Sequence, residues 1–273
     1  MSQVRKPVVA GYFYPADPSK LKDEVEILLH LAAGDKLSGK LFGIVVPHAG
    51  YIYSGKTAAY GFNLLNKDEV KTVIILSPSH REYFPGISVY DGDAYQTPLG
   101  TVPINKKIAE LLTRDGKIIF RGNEGHRQEH AIEVQIPFLQ MVLNDFEIVP
   151  VVMGDQGKLF IDELANKLVE AVDEKTVVVS SSDLSHYYPG NVASQMDSFI
   201  EKDINNFNYE GLQEDMNSGK CEACGAGTIL ALMKSAYKLN FRKSKVLFRC
   251  DSGDTTGDKN EVVGYLSAAV FGE

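Results

Sequence analysis

Cysteine is scarce in this chain. Its three residues, Cys221, Cys224 and Cys250, are an odd number, and the first two are so close in sequence that the pattern argues against a secreted disulfide framework. A reducing, cytoplasmic setting is expected. Long apolar runs are missing as well: no stretch approaches the ~20 residues needed to span a bilayer, and residues 1–7 lack the apolar core of a signal peptide, so no membrane partner is expected. Nor is there an excess of positive charge. With 28 basic against 36 acidic residues the formal net charge is -8, and phosphate contacts need clustered Lys and Arg, so nucleic acid is not an expected partner either. Internal repeats, low-complexity tracts and Pro/Ser-rich linkers are absent, which favours one continuous domain over residues 1–273.

What is present is ordinary globular composition, 44% hydrophobic and 23% charged, arranged as short β-branched runs alternating with amphipathic stretches. That alternation predicts an α/β domain with helices covering a central sheet. Residues 43–46, 72–76, 148–152 and 176–179 are the strongest strand candidates, with weaker ones at 87–90, 246–249 and 262–271. Helices are expected over 57–65, 158–172 and 225–239.

In open α/β sheets ligands collect beyond the carboxyl ends of the strands. Three of the six histidines fall there. The first strong strand runs into Pro47-His48-Ala49-Gly50-Tyr51, the second into Ser77-Pro78-Ser79-His80, and the one beginning at Thr176 into Ser182-Asp183-Leu184-Ser185-His186. His48 and His80 would converge on one metal if their strands were neighbours, and two imidazoles with a carboxylate suit iron, zinc or copper while leaving positions open for substrate. Hydrogen bonding of each histidine to its own loop is the plainer alternative. Asp183 and His186 form D-x-x-H, a spacing for general acid/base work if the segment turns helical, or else simply a helix N-cap.

Glu129-His130-Ala131-Ile132-Glu133 lacks the order and spacing of H-E-x-x-H and reads as a helix start with His130 facing a pocket. His126 and His30 are set aside as surface residues. Cys221-Glu222-Ala223-Cys224 is a lone C-x-x-C, for which packing or capping is favoured over a redox pair or structural zinc. The acidic stretch from Asp251 to Asp258 lacks EF-hand spacing and is expected to be a tight connection between two strands.

Taken together, Val46-Pro47-His48-Ala49-Gly50-Tyr51, Leu76-Ser77-Pro78-Ser79-His80, Asp93-Ala94-Tyr95-Gln96-Thr97-Pro98-Leu99-Gly100, Glu129-His130 with Glu133, Ser181-Ser182-Asp183-Leu184-Ser185-His186, and Ser252-Gly253-Asp254 with Thr256-Gly257-Asp258 resemble the Memo family in order and approximate spacing. The resemblance implies a single three-layer α/β/α domain with a central mixed or mostly parallel sheet, similar to class III extradiol dioxygenases. It implies a metal on His48 and His80, Fe(II) foremost with copper or zinc as alternatives, and His186 as a base assisted by Asp183, with Tyr51 and His130 lining the pocket.

The family's C-terminal cysteine ligand aligns with Thr255, so the third ligand is open. Asp254, Cys250, Asp183 and His186 are the candidates, and Asp254 or His186 is preferred. A metal-dependent oxidoreductase acting on a hydroxylated or otherwise acidic small molecule is the leading reading; a non-catalytic peptide- or partner-binding pocket and a metal-assisted hydrolase are the alternatives. Microbial members resemble components of a system with a radical S-adenosylmethionine protein and an AMMECR-type protein, so those proteins are implied as partners.

Overall fold

A computed structural model describes residues 3–34, 37–114 and 116–272. Two residues of the N-terminal stretch considered above, Met1 and Ser2, lie outside that range, as do Asp35, Lys36, Asp115 and Glu273. Among the described residues the chain begins with β1 (Val4–Arg5), α1 (Pro18–Leu31), β2 (Leu41–Val46), α2 (Tyr51–Phe62) and β3 (Thr72–Pro78). The middle of the chain forms β4 (Ile87–Tyr90), β5 (Ala94–Thr97), β6 (Gly100–Pro103), α3 (Lys106–Thr113), β7 (Ile119–Gly122), α4 (Ile136–Val142), β8 (Glu147–Met153), α5 (Lys158–Ala171) and β9 (Thr176–Ser181). The last third adds β10 (His186–Tyr188), α6 (Gly190–Asn205), α7 (Tyr209–Asn217), α8 (Ala226–Lys238), β11 (Lys243–Asp251), α9 (Gly253–Thr256) and β12 (Val262–Phe271).

The large sheet has the order β10-β12-β2-β9-β3-β8-β4-β7, with β11 also paired to β12, and β1, β5 and β6 form a small separate sheet. Its centre, β2-β9-β3-β8, is parallel, whereas β12 and β4 join it antiparallel. The sheet is therefore mixed. The Val/Ile runs explain why it is buried on both faces, since successive side chains on a strand point to opposite sides. Ile74 and Leu76 of β3 face a core shared with Leu164 and Leu168 of α5 and with Ile229 and Leu232 of α8. Val73 and Ile75, one step out of phase, face a second core with Leu21 and Val25 of α1, Phe62 of α2 and Phe138 of α4. This is the α/β/α sandwich expected.

Two local expectations change. The helix after β2 begins at Tyr51, directly behind the His48 motif, because its first amide is held by Phe13 O at 2.8 Å. Residues 183–188 do not turn helical; His186–Tyr188 instead pairs with β12 as a short antiparallel strand.

Candidate metal centre

The loops after β2, β9 and β3 meet at one end of the parallel strands. β2 and β3 are not neighbours, because β9 lies between them and parallels both. Their histidines nevertheless converge: the rings of His48 and His80 are 5.0 Å apart and nearly perpendicular, and His130 lies 4.9 Å from His80 and 5.4 Å from His48. The intervening strand supplies the floor. Ser181 Oγ lies 2.9 Å from His48 Nδ1, and Asp183 Oδ1 accepts the His48 backbone N–H at 2.7 Å.

The third soft donor is Cys224, whose Sγ lies 3.2 Å from His48 Nε2. His48, His80 and Cys224 each offer a ligand atom, and the three atoms lie within 4.8 Å of one another. Cys224 arrives from the far side of the sequence by close backbone approach. Gly225, just ahead of α8, sits so near β9 that a Cβ there would meet Ser181 O at 2.5 Å, and only glycine fits. Cys224 N donates to Asp183 O at 3.2 Å, and Asp183 N donates back to Cys224 Sγ at 3.2 Å. The other half of the C-x-x-C goes elsewhere: Cys221 is buried in the apolar core, so the two cysteines are neither a redox pair nor a shared zinc site.

Asp254, preferred from the sequence as third ligand, is not brought to this cluster. It is exposed on α9, its Oδ1 accepts from Lys259 Nζ at 2.6 Å, and it lines a separate cavity of about 370 Å³ with Arg249 and Asp197. Its carboxylate already has a cation. Cys250 is likewise apart, within 3.0 Å of Thr57 Oγ1. His186 flanks the centre closely enough for its charge to bear on both His48 and Asp183, but its backbone N–H is held by Glu222 at 2.9 Å and Asp183 spends one oxygen on the His48 amide. Asp183 therefore positions the His48 loop. Tyr51 turns inward, donating its hydroxyl to Val134 O and packing on Phe138, so it supports the site from below and does not line it; His130 does stand beside His48 and His80.

Glu129 is the residue that sequence reading left in a helix start. It is buried, and its Oε1 lies 2.9 Å from His80 Nδ1 and accepts from His130 N and Ala131 N, while Oε2 accepts from His80 N at 2.7 Å. The grouping of His80, Glu129 and His130 also has metal-ligand spacing. That carboxylate already accepts four N–H donors, three on Oε1 and one on Oε2, so it reads as scaffolding for His80. His126, set aside as a surface residue, is in fact buried: its Nε2 donates to Ser88 O and its Nδ1 accepts from Tyr95 Oη.

Burial sets the charge states. Desolvation, reinforced by the neighbouring His80, holds His48 down to about 3, and burial plus His48 holds His130 down to about 4, so both are neutral imidazoles near neutral pH. Burial alone would push Glu129 up, but the hydrogen bonds and charge of His80 outweigh it and hold the carboxyl at about 2. Burial and the Asp183 carboxylate push the Cys224 thiol up, which a cation bound at its sulfur would reverse.

A mixed α/β sandwich with two imidazoles and one thiol convergent at its strand ends defines a class of protein with a candidate soft-metal centre. The chain belongs to the Memo family: the model for Memo-like protein matches residues 5–269. A MEMO1 family protein of Thermoplasma volcanium is 37% identical over 265 residues, covering 97% of each chain, and one of Methanocaldococcus jannaschii is 38% identical over 287 residues, covering 99% of this chain and 100% of its own. The crystal structure of an uncharacterized protein from Escherichia coli K12 overlaps 74% of this chain and 86% of its own with a TM-score of 0.45 at 14% identity.

Proposed function

We propose that this protein is a metal-dependent oxidoreductase that holds one ion on His48, His80 and Cys224 and acts on a small acidic or hydroxylated substrate. The observation that carries the metal reading is the convergence of three ligand atoms within 4.8 Å, two of them on imidazoles, of which the buried His48 is held neutral by desolvation. The donor set fits a metal, and it differs from the two histidines and a carboxylate expected. A thiolate favours softer ions, so copper or zinc competes with iron(II) more strongly here than it would with Asp254 as ligand. Three protein ligands leave coordination positions for substrate, and a bound ion would supply Lewis acidity, or electron exchange if it is redox-active.

The remaining residues do proton work. His186 stands at the same strand end and is half-buried, which suits an exchangeable acid/base group, while His130 offers a second neutral imidazole at the rim. Phe13 packs edge-on to His130 at 4.9 Å and shields that side from water.

The test is anaerobic reconstitution with Fe(II), Cu(I) or Zn(II) of the wild type and of Cys224→Ser, His48→Ala and His80→Ala, read by metal content after gel filtration. About one ion per wild-type chain and a near-complete loss in each variant are expected. Equal metal content in wild type and Cys224→Ser would remove the thiolate from the set and reopen the search for a third ligand.

A further inference from the structure

The hydrogen-bond partners of the two histidines determine which nitrogen each can offer. Ser181 Oγ donates its one proton to Ala131 O at 2.8 Å, a carbonyl that can only accept. Gln135 Nε2, which also donates to Pro47 O, donates to the same hydroxyl at 2.8 Å. With its proton committed, Ser181 can only accept at the 2.9 Å contact with His48, so His48 Nδ1 carries the hydrogen and Nε2 is bare.

At His80 the same outcome has a different cause. Glu129 receives four N–H donors on two oxygens, from the His80 ring, the His80 backbone, His130 and Ala131, and a carboxylate has no proton to give. His80 Nδ1 must therefore be the donor, so that in the neutral ring, the form that can ligate, it is Nε2 that is bare. No neutral side chain of this size accepts four donors, because an amide would set its own NH2 against at least one of them.

We infer that Glu129 and Ser181 are positioning residues that lock His80 and His48 as Nδ1–H tautomers, so that both Nε2 lone pairs point at the space shared with Cys224. A carboxylate or hydroxyl behind a ligating imidazole fixes its ring and raises its basicity, and loss of such a partner typically costs 10–100-fold in metal affinity. The inference deepens the metal reading and rests on it only for its consequence, since the tautomers exist without an ion.

The experiment has two arms. In metal-free, 15N-histidine-labelled wild-type protein, long-range 1H–15N correlation spectra should show both His48 and His80 as Nδ1–H tautomers; an Nε2–H tautomer at either would overturn the assignment, and no variant has to fold for that result. In Glu129→Ala, His80 should become a tautomer mixture while His48 is unchanged, Ser181→Ala should do the reverse, and Glu129→Gln, which keeps an acceptor for the ring N–H, should restore His80. A disturbance of both rings by either variant would mean that the residues only support the fold. Titration with Co(II) then separates the two readings: no binding by wild type defeats the metal reading and leaves the tautomers standing, whereas wild-type binding with under 3-fold weakening in Glu129→Ala defeats the positioning role.

Discussion

Two polar clusters lie side by side at the strand ends, one buried and one running from the buried His48 out to the exposed His80, and they use their hydrogen-bonding capacity in opposite ways. In the first, Glu133 accepts from Arg5, from the amides of Val8 and Val9 and from the Tyr14 hydroxyl at 2.6 Å, while Arg5 also donates to the carbonyls of Glu129 and His126. His126 closes the set through Tyr95 and Ser88. The Arg5 guanidinium, the Tyr14 and Tyr95 hydroxyls and the His126 ring each meet a partner inside the protein. In the second, His48, His80 and Cys224 are held by partners on the sides facing away from one another, and across the centre His48 Nε2 meets Cys224 Sγ at 3.2 Å, a contact that a bound ion would replace. Saturated networks hold a fold together; convergent groups with lone pairs left over are available to a ligand.

That contrast can be broken by stability measurements. Glu133→Gln removes the anion from a fully buried ion pair and sets an NH2 among donors, so it should cost about 3–5 kcal/mol, read as a lowered urea midpoint. Metal-free Cys224→Ser should lie within about 1 kcal/mol of wild type, because the hydroxyl keeps shape and an acceptor for the Asp183 amide that now donates to the sulfur. If Cys224→Ser were as destabilising as Glu133→Gln, the distinction between the two clusters would fail.

A smaller effect sharpens it through pH. Burial holds His126 down to about 3 from an ordinary 6.5, so the folded state takes up its proton later than the unfolded chain does. Between those two values the unfolded state binds more protons, and stability therefore falls as pH falls, by up to about 1.4 kcal/mol per pH unit for this one group. The buried His48 and the partly buried His130 add slope of the same sign. Replacing His126→Gln should flatten the curve across that window by about one proton's worth while leaving the contributions of His48 and His130 in place. An unchanged slope would show that His126 is not held neutral by its surroundings.

The difference between the clusters also marks what was legible in sequence. The strands were visible because β2, β3, β8 and β9 are apolar on both faces, and His48 and His80 because they follow two of those strands directly. Cys224 was not, since it reaches the site through a tertiary contact at Gly225 and the lone C-x-x-C favours packing or capping, which holds for Cys221 in the core but not for Cys224. Its place immediately before a glycine and a helix was the one available signal. His126 looked like a loop residue because its partner Tyr95 lies on β5, remote in sequence. The D-x-x-H spacing suggested a helix, but pairing with β12 pulls 186–188 into a strand and leaves Asp183 to the His48 amide.

Asp254 makes the same point at the smallest scale. The acidic stretch that suggested a cation site contains its own cation: Lys259 Nζ lies 2.6 Å from both Asp251 Oδ1 and Asp254 Oδ1, which holds Asp254 below its usual range. These pairs are exposed enough for solvent to screen them, so Asp254→Asn should change stability by less than about 1 kcal/mol. It should also leave metal content at the wild-type value, in contrast to Cys224→Ser under the same loading. A loss of metal in Asp254→Asn would move the third ligand to α9 and require the β11–β12 connection to swing across to His48, taking Asp254 away from the lysine that now neutralises it.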